Sequence, residues 1–284
     1  MKVRRIGLWA VAAAAVFLLL LTAAGFAKPD AKGQGISGTE ELSGKTLAGV
    51  AAARMTEENA KVLFETILGI KLSGYHAVKD MPGLLYELKS GRADGICCPD
   101  VTAEYLLRTV EGLKRLDAPE DTAGGVLGGG RLEFAMALRK GEEELCAELD
   151  AAITEMKADN MLKALIVAYV EADEPLELYR TGGGSGKKLY VGVTGTIPPL
   201  DRYDNDGTPC GFSEAFLAEL GKRTGYCFIT VPITAEDSFT ALQSGKVDLL
   251  FGYGTSRNTT PGEREYIMTK GYYTMKEYAY LTLE

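Results

Sequence analysis

LKSGRADGI at residues 88–96 and LQSGKVDLL at 242–250 are nearly the same nine residues written twice, and their shared reading decides the fold. In each copy an amphipathic stretch ends in Ser-Gly, and glycine readily takes the left-handed conformation that closes a helix. One basic residue follows, then a short apolar segment opened by Asp94 or Asp248, which reads as a buried strand. Two such helix–glycine–strand junctions imply two α/β units built alike.

The flanking sequence extends that pattern in both directions. Upstream, LAGVAA (47–52), YHAV (75–78) and ADGICC (93–98) read as strands. Between and after them, TEENAKVLFETILG (56–69), MPGLLYELKSG (81–91) and VTAEYLLRT (101–109) carry apolar residues at helical spacing. RLEFAMAL (131–138) is a further strand, followed by two consecutive helices, EEELCAELDAAITEMKA (142–158) and NMLKALIVAYVE (160–171). The alternation restarts with KLYVGVTG (188–195), FSEAFLAELGKRTG (212–225), CFITVPI (227–233), DSFTALQSG (237–245) and VDLLFGYG (247–254). Strands alternating with helices define parallel-sheet α/β architecture. Residues 173–187, ending in Gly/Ser, read as a linker between the two blocks, and 28–43 as a polar tether.

The first 27 residues are of another kind. MKVRR precedes 22 uncharged residues that end in Gly25, Phe26 and Ala27, the pattern of an export signal cleaved after Ala27 or kept as an N-terminal membrane anchor. Either way the body of the protein is expected outside the cytoplasm, and no Cys precedes Cys97 to carry a lipid. The chain holds 31 Lys and Arg against 39 Asp and Glu. Without Lys2, Arg4 and Arg5 the basic count falls to 28, so the remainder is more acidic still and a poor partner for nucleic acid. Cys97, Cys98, Cys146, Cys210 and Cys227 have neither a C-x-x-C nor zinc-site spacing. They read as buried free thiols, with a Cys210–Cys227 bridge as the alternative. The single histidine, His76, is expected at a surface strand turn; no Ser-His-Asp set, metal cluster or phosphate loop is present, so no catalytic residue, metal or cofactor is expected.

KLYVGVTGTIPPLDRYDNDGTPCGFSEAFLAELGKRTG (188–225), ALQSGKVDLLFGYGTS (241–256) and KGYYTMKEYAYLTLE (270–284) together resemble the extracytoplasmic solute-binding proteins of amino-acid-type ABC importers, family 3. The resemblance implies a two-lobed, periplasmic-binding-protein-like (type II) α/β fold with a parallel-rich sheet flanked by helices in each lobe. It assigns 44–139 to lobe II and a hinge strand, 140–172 to helices returning to lobe I, and 188–284 to the lobe I core. The family order is reversed here, with lobe II first, so the chain resembles a circularly permuted member, with two tandem modules, each missing a part, as the alternative. One covalent crossing between lobes is then expected, near Arg131 to Arg139.

The resemblance also implies a site. In GYGTSRNTTPGER (252–264), Thr255 matches the family's ligand hydroxyl, while Arg257 or Arg264 matches its carboxylate-gripping arginine. Tyr253 is either an aromatic wall or core. On lobe II, AAARMTEEN (51–59) puts Ala53, Arg54, Met55 and Thr56 at the strand-to-helix turn that offers backbone and hydroxyl donors; Thr56 is equally a helix N-cap. Asp100 lies near the family's acid for a ligand ammonium, or caps the helix it opens. In TGTIPPLDRYD (194–204), Thr196 and Ile197 stand where members commonly carry an acid and an aromatic, which weakens the case for a free α-amino acid. The implied function is capture of a small carboxylate-bearing solute for an ABC permease or a membrane sensor. The alternative is a dehydratase of the same fold acting on cyclohexadienyl acids.

Overall fold

The structure, a computed structural model, describes residues 36–51, 56–117, 132–172, 176, 178, 183–255, 265–275 and 278–284. The export segment, the first half of the tether and much of the linker lie outside the described residues.

The first block builds β1 (Thr46–Val50), α1 (Glu57–Leu68), β2 (Gly74–Val78), α2 (Met81–Lys89), β3 (Gly95–Pro99), α3 (Asp100–Thr109) and β4 (Leu113–Arg115). Each helix is bounded by the chemistry of its ends. Thr56 accepts a hydrogen bond from the Asn59 amide, Asp80 accepts one from Gly83, and Gly69 closes α1 at φ 66°. The second block builds β5 (Leu132–Arg139), α4 (Glu143–Ala158), α5 (Met161–Ile166) running into a π-helical turn (Val167–Glu171), and β6 (Lys188–Val193). A two-stranded ribbon, β7 (Arg202–Tyr203) and β8 (Pro209–Cys210), comes next. The chain ends its described course with α6 (Phe212–Thr224), β9 (Cys227–Pro232), α7 (Ser238–Gln243), β10 (Leu249–Thr255), β11 (Tyr266–Met268), β12 (Tyr273–Met275) and β13 (Tyr278–Leu283).

Two mixed sheets result, and they repeat one plan. The first runs β2-β1-β3-β13-β4, with β1 parallel to β2 and β3 and with β13 antiparallel to β3 and β4. The second runs β11-β5-β10-β6-β9, with β6 parallel to β9 and β10 and with β5 antiparallel to β10 and β11; β12 also pairs with β5. In each, three parallel strands are followed by one antiparallel strand donated from the other half of the chain. Helices α4 and α5 bury Leu149, Ile153, Met156 and Leu162 in the same core as Leu189 and Val191 of β6. That core is finished by Phe212, Phe216, Phe251 and Tyr272, with the Phe216 and Tyr272 rings 4.7 Å apart.

Two expectations need correction. β13 belongs to the first sheet, not to the 188–284 core, because its ladder partners are Cys97, Cys98 and Lys114. The chain therefore crosses between lobes twice, from β4 to β5 and again from β12 to β13, where a single crossing near 131–139 was expected. His76 sits in mid-strand on β2, half-buried, with Nδ1 2.6 Å from Glu87 Oε2, which Arg92 also approaches at 3.4 Å.

The repeated nine residues do the same work in each lobe. Gly91 and Gly245 take φ 72° and 76° and close α2 and α7 through bonds to Leu88 and Leu242 carbonyls. Asp94 then donates its amide to the Thr46 carbonyl at 2.7 Å and accepts the Thr46 amide at Oδ2, 2.8 Å. Asp248 repeats this on Tyr190, with 2.7 Å and 2.9 Å. A carboxylate-assisted bond contributes about 1.5–3 kcal/mol. Asp94→Ala and Asp248→Ala are each expected to lower urea-unfolding stability by about that much, Asp248 nearer the lower end because it is more exposed. The double variant should be additive within about 0.5 kcal/mol, since the two clamps sit in separate sheets.

Candidate functional site

Loops at the C-terminal ends of parallel strands are where α/β sheets place ligands. Here those ends belong to β1 and β3 in one lobe and to β6 and β10 in the other. Val101, in the first turn of α3 just beyond β3, is 6% exposed and packs into the core of the second lobe. Arg108 Nη2 donates to the Val170 carbonyl at 3.0 Å, satisfying one of the acceptors left open where the π-helical turn ends. Tyr278, at the start of β13, packs against the cores of both lobes. The end of β3 thus faces the second lobe rather than solvent.

On the second lobe, the segment after β6 turns tightly. Ile197 and Asp201 exchange backbone hydrogen bonds of 3.2 and 2.9 Å around a cis Pro198–Pro199 bond. Asp201 is wholly buried, and its Oδ2 accepts from the Thr194 amide (2.8 Å), the Thr194 hydroxyl (2.9 Å) and the Gly195 amide (3.0 Å). Its Oδ1 is buried without a hydrogen-bond partner. Thr194 and Thr196 hydroxyl oxygens are 2.7 Å apart. Gly195 has φ 66°, and a Cβ there would stand 2.7 Å from the Tyr203 ring, so the position admits only glycine. Across from it, β10 bulges between Leu250 and Tyr253; Gly252 there takes φ 74° and donates its amide to the Tyr272 hydroxyl at 2.8 Å. Burial holds the Asp201 carboxyl above its ordinary value, opposed by the Thr194 and Gly195 hydrogen bonds. Burial likewise pushes Tyr272 up, with the Asp201 charge adding to it.

The residues singled out from sequence fall as follows. Thr196, 8% exposed, and Ile197 both lie in this turn, with Ile197 Cδ1 against Gly252. Thr255 ends β10 opposite Glu133. The Tyr253 ring packs on Phe239 and Tyr266 at 5.0 and 5.8 Å, in an aromatic cluster on the far side of the sheet core. On the first lobe, Thr56 caps α1, and Asp100 is the first residue of α3, accepting the Val101 amide at 2.7 Å; Pro99 holds the cap position. Tyr273 lies close enough to Asp100 and Glu171 for both charges to add to the burial that pushes its hydroxyl up to about 12. Ala53, Arg54, Met55, Arg257 and Arg264 lie outside the described residues. All five cysteines are free thiols, and burial pushes Cys97 up to about 12 and Cys146 to about 11. Asp201, Thr194 and Tyr272 were missed; the one sequence signal was an acid directly after Pro-Pro-Leu. Among the described residues no group of three or more His, Cys, Asp or Glu is placed to hold a metal, and no helix is long and apolar enough to cross a membrane.

The two sheets make a two-lobed α/β protein in which the end of β3 packs against the second lobe. Residues 189–281 match the family model of the bacterial extracellular solute-binding proteins, family 3. Among solved structures it is similar to a phosphate-binding protein of a phosphate ABC transporter from Streptococcus pneumoniae TIGR4, at 13% identity and TM-score 0.38, over 85% of this chain and 89% of that one. It is similar also to a mutant of arginine-bound ArgBP from T. maritima, at 12% identity and TM-score 0.39, over 85% and 88%. An ancestral arginine-binding protein bound to arginine gives 13% identity and TM-score 0.40, over 85% of each chain. No curated protein matches the sequence.

A carboxyl with a raised folded value contributes stability that is fully present below 3.8 and is lost as pH rises through the raised value. The unfolding free energy of Asp201→Asn minus that of the wild type should therefore increase between about pH 4 and 7. Urea unfolding across that range measures the difference directly, and a flat profile would refute a buried, titrating Asp201.

Proposed function

We propose that the protein captures a small carboxylate-bearing, amino-acid-like solute between its lobes and presents it to an ABC importer or a sensory partner. The match over residues 189–281 carries this reading, because that segment contains both the Thr194–Ile197 turn and the strand end at Thr255. On the second lobe, Thr255 and either Arg257 or Arg264 take the solute carboxylate by a charge-assisted pair. On the first, the backbone around Arg54 and Met55, the Thr56 hydroxyl and Asp100 close over it. The order of units is read as a circular permutation of the family arrangement, supported by the shared plan of the two sheets, each completed by an antiparallel strand from the other half. Residues 1–27 serve as the export signal or anchor.

Leaving a carboxylate unpaired in a closed cleft costs about 3–5 kcal/mol. Isothermal titration of the purified protein with the proteinogenic L-amino acids should identify a binder. Arg257→Ala or Arg264→Ala, whichever is the true partner, should then weaken it at least about a hundredfold. Retention of affinity in both variants would exclude the arginine clamp. Solution scattering on saturation should show a smaller radius of gyration, because the lobes close by hinge motion.

A further inference from the structure

Helix α3 is engaged on two opposite faces, and only one of them belongs to its own lobe. At about 3.6 residues per turn, Ala103 and Leu106 lie on one side of the helix, while Val101 and Arg108 lie on the other. Ala103 and Leu106 are buried in a core of the first lobe. Val101 is buried in the core of the second, and the exposed Arg108 donates from Nη2 to the Val170 carbonyl of that same lobe at 3.0 Å. The acceptor is a helix end. In the π-helical turn the Val167 carbonyl takes the Ala172 amide at 3.1 Å and the Ala168 carbonyl takes the Leu176 amide at 3.1 Å, whereas the Val170 carbonyl takes its hydrogen bond from the other lobe.

The two contacts stand at different distances from a covalent crossing. Pro99, just before α3, pairs with Tyr278 at the start of β13, so Val101 lies near the crossing from β12 to β13. Asp100 comes close enough to Tyr273 of β12 to be, after burial, the largest influence on its hydroxyl. Arg108 lies about 10 Å further along the helix. A turn of the lobes about the crossing moves the near end of α3 little and the far end more, and a hydrogen bond survives only a few tenths of an ångström of lengthening.

We infer that α3 is a latch between the lobes, seated near the crossing by Val101 and closed at its far end by the Arg108–Val170 bond, that holds them in the arrangement seen here. That role rests on the solute-binding reading above and deepens it by placing a control of affinity outside the cleft. Breaking the latch lets the lobes part, and solute then binds only the fraction of molecules in the right arrangement. Arg108 is thus a positioning residue that acts on the solute through the lobes. One charged side chain on a part-buried carbonyl suits a reversible device, because water takes up each partner when the bond opens.

The first test needs no solute. By solution scattering, unliganded Arg108→Ala should have a larger radius of gyration than the wild type, with its circular dichroism unchanged. Arg108→Lys, which keeps the charge and a donor, should recover most of the difference. Glu104→Ala is the control, since it removes from the same helix an ion pair made within the first lobe, Arg115 Nη1 to Glu104 Oε1 at 2.7 Å. Its radius should match the wild type. An unchanged radius in Arg108→Ala, or an equal increase in Glu104→Ala, would overturn the latch. The second test is calorimetry with the proteinogenic L-amino acids, in which Arg108→Ala should weaken whatever binds the wild type by about tenfold. Unchanged affinity in that variant would refute control of affinity by α3. If no amino acid binds the wild type, the amino-acid reading itself fails, and scattering alone upholds or overturns the latch.

Discussion

The fold rests on one contact made twice, an aspartate at the head of the third parallel strand that grips the first strand of its sheet. Asp94 holds Thr46 and Asp248 holds Tyr190, each by a backbone bond in one direction and a carboxylate bond in the other. The glycine three residues before it, Gly91 or Gly245, matters as much. A left-handed glycine ends the helix, and the chain then has only two residues in which to reach the strand. With helix end and strand start both fixed, register between the first and third strands has no freedom to slip, and a slip of one residue would turn Leu249 and Phe251 away from the core. Everything downstream, including the placement of the β6 and β10 ends side by side, inherits that register.

The turn after β6 shows the opposite economy. Asp201 is buried with one oxygen crowded by three donors and the other with none, an arrangement that burial of a carboxyl makes costly. A leucine in its place would remove that cost and leave two backbone amides and a hydroxyl without their acceptor. Burying the acid beneath the turn therefore exchanges some stability for a fixed loop. The cysteines show what burial does without such a purpose. Cys97 and Cys98 point into two separate cores of the first lobe, and their thiols are pushed up by the same desolvation with no donors gathered around them.

Local pattern made most of the elements legible. The helices at 57–68, 143–158 and 212–224 announce themselves by spacing and caps, and the parallel strands by apolar runs between glycine junctions. The departures have a common cause in long-range pairing. YAYLTL alternates like any strand, and nothing in its own residues says that its partners are Cys97 and Lys114 rather than the neighbouring β12. His76 is expected at a surface turn, and the structure keeps it in mid-strand, where its ring nitrogen has Glu87 as a partner. Asp201 escaped for a related reason. An acid after Pro-Pro-Leu looks solvated, and only the packing of Leu200, Tyr203 and Tyr272 around the turn takes it out of water.

The two antiparallel strands decide how the lobes are joined. Each crossing strand lies inside the sheet it enters, one place from an edge: β5 lies between β10 and β11, and β13 between β3 and β4. Neither crossing strand can fray without breaking ladder bonds on both sides, so each is held firmly in the sheet it enters. The remaining described link is different in kind. Arg108 reaches from α3 to the Val170 carbonyl at the end of the π-helical turn, a side-chain bond to an open helix terminus that also places positive charge at the negative end of the dipole. Such a bond is worth about 1.5–3 kcal/mol when made and is replaced by water when broken. Covalent crossings thus join the lobes through the interior of each sheet, and the contact around Val101 and Arg108 adds a weaker, reversible link between them.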